Sequence, residues 1–216
     1  NSKSVIDTLI AGKKSGKNWT FLKGNHDRMF CDFVASGTEH DPKVKSNISW
    51  VNSRLGGVTT LASYGVTGDP HFSHPLNGIE TLTHYTRDGQ NIAPADIVAE
   101  ARAAVPQAHL DFIANLPLTL ETEDLIFVHA GLRPNVAIAD QDVEDLLWIR
   151  DGFLETDHDF GRLVVHGHTA LEHPTHFGTR IDIDGGAGYG RPLVPVVFEG
   201  RDCWTLTPAG RISLVP

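Results

Sequence analysis

LIFVHAGL (125–132) and LVVHGHT (163–169) share one form: a short apolar run that ends in histidine beside glycine. A few consecutive apolar residues bounded by polar, Gly-containing sequence read as a buried strand running into a loop. A third instance lies upstream, where the apolar residues 19–22 lead into Lys23-Gly24-Asn25-His26-Asp27-Arg28. In layered α/β folds, ligands gather where strands end and loops begin. Three such ends, each delivering Asn or His next to Gly, are therefore natural contributors to one site. Gly24, Gly131 and Gly167 let the backbone approach closely or adopt dihedrals that other residues avoid.

The donor types narrow the chemistry. Asn25 offers a carbonyl oxygen and His129 and His168 offer imidazole nitrogens, a mixed set suited to manganese, iron, zinc or nickel rather than calcium. All three are neutral. A divalent ion needs anionic ligands as well, because desolvated charge must be compensated, so this set is incomplete by itself.

Outward from these stretches, the chain opens on Asn1 and Ser2 in capping positions, with apolar residues at helical spacing through residue 10. Residues 29–118 read as a helical elaboration between strands. Its helices are predicted at 50–55, 95–104 and 107–116, the last started by Pro106, with Gly56-Gly57 and residues 65–75 as loops. Residues 180–184 alternate Ile with Asp at period two, and residues 194–198 and 203–206 flank a hairpin at 199–202. The class is α/β, with a β-rich C-terminal quarter.

Composition sets outer bounds. The 216 residues suit a single domain, 1–216, and the 40% apolar and 21% charged content is that of a folded globular chain. A net charge of −9 argues against a nucleic-acid partner, whose phosphate backbone selects basic faces. Two distant cysteines, Cys31 and Cys203, suggest neither a disulfide framework nor a thiolate metal site. With no apolar run of membrane-spanning length and no signal-like start, the expectation is a cytoplasmic protein without a membrane partner. Oligomeric state is not legible.

Five motifs, in order, carry a resemblance: GNHD (24–27), VHAGL (128–132), LLWIRDGFL (146–154), VVHGHT (164–169) and IDIDGGAGYG (181–190). Together with WVNSRLGGVTTLASYG (50–65), they resemble the bacterial phosphoprotein phosphatase branch of the calcineurin-like metallophosphoesterases. That resemblance implies two packed mixed β-sheets flanked by helices, a four-layer α/β/β/α sandwich, with two divalent metal ions at the strand ends. It implies that Asn25, His129 and His168 ligate the second ion and that His26 protonates the leaving oxygen. Arg150 matches a phosphate-clamping arginine, and Tyr189 falls where a tyrosine often lies near the site. The family's opening GDxHG and GDxxDRG motifs do not occur in these 216 residues. The resemblance therefore implies an N-terminally incomplete domain whose first metal site is empty or weak.

The implied activity is hydrolysis of phosphoesters by a water that two metal ions activate, with manganese the first choice of ion. Substrates would be phosphoserine or phosphothreonine in proteins, or a small phosphorylated molecule. A symmetrical bis(5'-nucleosyl)-tetraphosphatase is the alternative within that class, and a noncatalytic phosphate-binding module the alternative outside it. Blander readings cover the remaining candidates. His166 reads as strand-end packing, His109 and the other histidines as solvated side chains, and Asp27 and Arg28 as a loop pair. Asp182 and Asp184 read either as a cation site or as the exposed face of an edge strand, Arg150 alternatively as a salt bridge to Asp145 or Asp151, and Trp148 and Phe153 as core.

Overall fold

Residues 1–74 and 78–216 are described by the computed structural model. They form two compact units: Asn1–Trp19 with His26–Leu116, and Thr20–Asn25 with Pro117–Pro216. Among the described residues no helix is long and apolar enough to cross a membrane.

In the first unit, the Asn1 side chain accepts from the Ser4 amide and so caps α1 (Ser2–Lys14), as the opening residues predict. Helix α2 (Asn25–Ser36) lies in this unit from its second residue on. The segment read as mainly helical does carry α3 (Gly57–Ser63) and, beyond it, α4 (Pro94–Ala104) and α5 (Gln107–Ala114). Between them it also carries a sheet. Strands β1 (Asp69–Ser73), β2 (Thr81–Arg87) and β3 (Gln90–Ile92) pair antiparallel in the order β1-β2-β3. The turn joining β2 to β3 places Asp88 and Gly89 at φ 52° and 75°, the positive pair that an Asp-Gly hairpin turn requires. The predicted loop at 65–75 thus contains the strand Asp69–Ser73, with residues 65–68 outside it; its last residue, Pro75, lies outside the described residues.

Residues 50–55 are turns rather than a helix. The buried Glu80 carboxylate accepts from the Ser49 amide and the Asn52 side-chain nitrogen, and Asn52 Oδ1 accepts from the Arg54 amide. Local side-chain bonds of this kind compete with helical ones.

The second unit is built on β4 (Thr119–Glu121), β5 (Leu125–Val128), β6 (Leu163–His166), β7 (Thr175–His176) and β8 (Arg180–Asp182). Their order is β4-β5-β6-β8-β7, with β5, β6 and β8 parallel and the two outer strands antiparallel. The apolar runs at 125–128 and 163–165 form strands as read. Residues 19–22 do not, and belong to no sheet. An extended apolar run becomes a strand only where a neighbour supplies the hydrogen-bond ladder.

Each face of the sheet buries a different set of side chains, because successive residues point to opposite faces. Ile126, Val128 and Val164 pack with Leu146, Ile149 and Phe153, which belong to α6 (Val143–Trp148) and the loop after it. Leu125, Leu163, Val165 and Ile181 pack with Cys203, Val196, Phe198 and Leu214. These last come from β9 (Val196–Glu199), β10 (Asp202–Thr207) and β11 (Gly210–Leu214), an antiparallel sheet that includes the predicted hairpin. The second unit is thus layered helix, mixed sheet, antiparallel sheet.

Candidate functional site

Parallel pairing explains why the two Gly-adjacent histidines meet. Phe127 lies opposite Val165 in the ladder between β5 and β6, so continuing two residues sets His129 against Gly167. The Gly167 amide donates to the His129 carbonyl oxygen at 2.9 Å. Both chains then turn at the same edge of the sheet. His129 Nε2 donates to Asn25 Oδ1 at 2.8 Å although the residues are 104 positions apart, and Asn25 is only 4% exposed. The rings of His129 and His168 stand edge to face, 5.1 Å between centroids, and the Trp148 ring meets His168 at 5.7 Å. The three ligands read from the sequence are therefore neighbours in the second unit.

Glycine does not play the part the sequence suggests at Gly167, where an added Cβ would find ordinary contacts no closer than 3.4 Å. The left-handed residue is His168 itself, at φ 66°. Outside glycine that conformation costs of order 1–3 kcal/mol and is concentrated where function constrains the backbone. At Gly131, by contrast, an added Cβ would lie 2.2 Å from the Phe153 ring. Here the absence of a side chain is required.

Whether these residues fit a metal ion can be judged from their spacing and chemistry. Ligand bonds of about 2.1 Å at right angles set neighbouring donor atoms about 3 Å apart, close to the 2.8 Å between Asn25 Oδ1 and His129 Nε2. Both atoms can turn a lone pair to an ion once the imidazole proton sits on Nδ1. Asn25 Oδ1 and His129 Nε2 thus stand at ligand-to-ligand spacing, with the His168 ring beside that of His129. Among the described residues there is no group of three or more His, Cys, Asp or Glu side chains that would hold a metal unaided.

Of the remaining candidates, Arg150 reaches His168: its guanidinium Nη2 donates to the His168 carbonyl oxygen at 3.3 Å. Asp145, its alternative partner in the sequence reading, is taken by Arg133 in a bidentate pair at 2.6 Å. His26 follows Asn25 in α2 but lies in the first unit. It is exposed at the surface, and the protein packed around its ring lowers its pKa from the ordinary imidazole value by desolvation, against an opposing pull from Asp27. Tyr189 sits on a short 3-10 turn, 77% exposed.

Sequence reasoning missed a polar cluster behind these strand ends. His166, read as packing, is indeed buried at 1% exposure, but its contacts are polar: Nδ1 donates to the Gly167 carbonyl at 3.2 Å and Nε2 accepts from Arg180 at 3.2 Å. Asp182, read as an exposed edge residue, is 1% exposed, because β8 lies inside the sheet between β6 and β7. It pairs in register with His166, its Oδ2 being 3.8 Å from Nδ1. Burial pushes the His166 imidazole down to about 4, and burial pushes the Asp182 carboxyl up to about 7. The sequence signal was thin, since alternating Ile and Asp look alike on an edge strand and an interior one.

Two further expectations change. His109, read as solvated, is 4% exposed and bonded through both ring nitrogens, to the Tyr64 hydroxyl and to Asp7 Oδ1, each at 2.9 Å. Arg28 makes a 2.7 Å ion pair with Asp41. Trp148 and Phe153 are core residues, as read.

No protein-family model matches the chain, and no curated protein matches it. Among solved structures, one of a "putative diadenosine tetraphosphatase" aligns with a TM-score of 0.46 and 14% identity, over 94% of this chain and 70% of that one. Likeness at that level leaves fold and chemistry to be argued from the residues themselves.

Proposed function

We propose that this chain is the metal-ligating part of a metal-dependent phosphoester hydrolase with a calcineurin-like sandwich fold, acting on phosphoserine or phosphothreonine in proteins. One observation carries the reading: Asn25, His129 and His168, brought from three distant segments, converge at the C-terminal edge of a parallel sheet, with Oδ1 and Nε2 at ligand-to-ligand spacing. The order of the five motifs supports the same conclusion.

In this reading Asn25, His129 and His168 hold a divalent ion, manganese by preference. A pair of such ions supplies a water of lowered pKa and positive charge for an in-line displacement at phosphorus. Arg150, planar and with paired donors, binds phosphate oxygens of the substrate, and its bond to the His168 carbonyl aims it beside that histidine. His26 gives its proton to the departing oxygen, a role that contributes roughly 10²–10⁴-fold. Tyr189, being exposed, contacts the substrate rather than the phosphate itself. Partners in this reading are phosphoproteins or small phosphorylated molecules, not nucleic acid or membrane, in the cytoplasm.

The test is hydrolysis of p-nitrophenyl phosphate by protein shown to hold two Mn²⁺ ions per chain, against the same protein in EDTA and against His129→Ala. Manganese-dependent turnover that falls by roughly 10² or more in the variant is the expected result. No turnover of any phosphoester by a chain with its ions bound would end the hydrolase reading. Relative kcat/KM on a phosphoserine peptide and on diadenosine tetraphosphate then separates the protein phosphatase from the dinucleotide hydrolase.

A further inference from the structure

We propose that Arg180 is a positioning residue: it locks the loop that carries Arg150 to the strand that leads into His168, and so sets where the phosphate-binding guanidinium stands. The connections close a ring within the second unit. Arg180 Nη1 donates to His166 Nε2 at 3.2 Å, and Nη2 donates to the Leu154 carbonyl at 2.7 Å. The Leu154 and Phe153 amides both donate to the Arg150 carbonyl, at 2.9 and 3.1 Å, so residues 150–154 move as one turn. Arg150 in turn donates to the His168 carbonyl at 3.3 Å, and His168 is two residues from His166. A shift of Leu154 would carry Arg150 with it.

The packing around Arg180 limits its own freedom. Its guanidinium lies 3.9 Å over the Phe177 ring and 5.7 Å from the Phe153 ring, and Phe153 meets the His166 ring edge to face at 4.9 Å. Arg180 is 5% exposed, and its Nε, buried, has no hydrogen-bond partner among the described residues. Stability does not favour such a choice, because burying a cation with an unmet donor is costly and an apolar side chain of similar volume commonly serves as well. What Arg180 supplies that an apolar residue cannot is a planar fork with two fixed directions, one for the loop and one for the strand.

The inference rests on the hydrolase reading for what Arg150 binds, but not for the linkage itself, so two kinds of measurement separate the two. The first is a double-mutant cycle in the full chain with Mn²⁺ and p-nitrophenyl phosphate, using Arg180→Met, Arg150→Ala and the double variant. A misplaced binding group can cost about 100-fold, so Arg180→Met is expected to lose about that in kcat/KM, largely through KM. It should add little when Arg150 is already alanine, and Arg180→Lys should recover part of the loss. Losses that multiply in the double variant, or unchanged kinetics in a folded Arg180→Met, would overturn the proposal. If Arg180→Met does not fold, Arg180→Lys takes its place in the cycle, with a smaller loss expected that should likewise add little when Arg150 is alanine. The second measurement is amide hydrogen exchange over residues 150–156. Faster exchange there in the variant is expected, and unchanged exchange would overturn the linkage. A wild-type chain that holds both ions and shows no phosphoesterase activity would sink the hydrolase reading while leaving this readout to decide the role of Arg180.

Discussion

His109 in the first unit and His166 in the second are both buried imidazoles, at 4% and 1% exposure, and their partners differ in kind. His109 donates to one carboxylate and accepts from one hydroxyl, while Asp7, with Lys3 beside it, is held below the usual carboxylate range. Every group in that relay is matched to its neighbour, and it ties α1, the end of α3 and α5 together. His166 faces a cation through Nε2 and a backbone carbonyl through Nδ1, with a carboxyl that burial has pushed up to about 7. A matched network lowers the energy of the fold; an imperfectly matched one beside strand ends holds geometry at a cost to it. The difference separates a histidine matched to its partners from one held between a cation and a buried carboxyl.

That contrast can be broken or sharpened by substitution. The largest effect is expected from Gly131→Ala, since a Cβ there would overlap Phe153, which is fully buried against His166. A loss of about 3 kcal/mol in urea unfolding is the expectation for such overpacking, and a loss below about 1 kcal/mol would mean the Phe153 wall yields easily. His109→Ala should come next, at about 2 kcal/mol, because the buried Tyr64 hydroxyl is left without its partner. Arg180→Met bares two acceptors but also removes a buried cation with an unmet donor, so it should cost less than His109→Ala, within about 1 kcal/mol in either direction, if its role is positional. The reverse ranking would erase the distinction drawn here. Asp142→Ala removes the cap that accepts from the Glu144 amide at the start of α6 and should cost about 1 kcal/mol.

The smallest effect is a change of pH slope. The folded pKa of Asp182, about 7, stands above the ordinary 3.8, so the folded chain keeps that proton longer. Its share of stability is complete below pH 3.8 and is lost as pH rises through about 7. His166 runs the other way: held down at about 4 against 6.5, its share is complete above pH 6.5 and is lost as pH falls through about 4. Over most of that window the two slopes oppose each other. Asp182→Asn should therefore gain on the wild type steadily from pH 4 to pH 7 and by no more beyond it, as read from urea midpoints. A gap that does not vary with pH would show that Asp182 titrates normally.

Much of this was legible in the sequence, for identifiable reasons. Helix α1 carries its cap in Asn1, α4 and α5 each begin beside a proline, and β5 and β6 are unbroken apolar runs, so local signals and tertiary structure agree. The strand-to-glycine junctions before His129 and His168 were legible, and parallel pairing of β5 with β6 makes them adjacent; the apolar run before Asn25 forms no strand, so its bond to His129 rests on tertiary placement. The sheet at β1–β3 was hidden because its Asp88-Gly89 turn is brief and Pro70 and Gly68 near its first strand read as loop. The turns at 50–55 depend on Glu80, a residue remote in sequence that no local pattern announces. Arg180 escaped notice and Asp182 was read as exposed because burial inside a five-stranded sheet is a property of strand order, which the residues of β8 alone do not encode.

The most direct test of the central claim is Co²⁺ titration of the full chain, followed by visible absorption, in the wild type and in Asn25→Ala, His129→Ala and His168→Ala. The account predicts a d–d band in the wild type and at least about tenfold weaker binding in each variant, as loss of a ligand should produce. A wild type that binds no ion, or three variants that bind it as tightly as the wild type, would contradict the claim that these side chains share one metal.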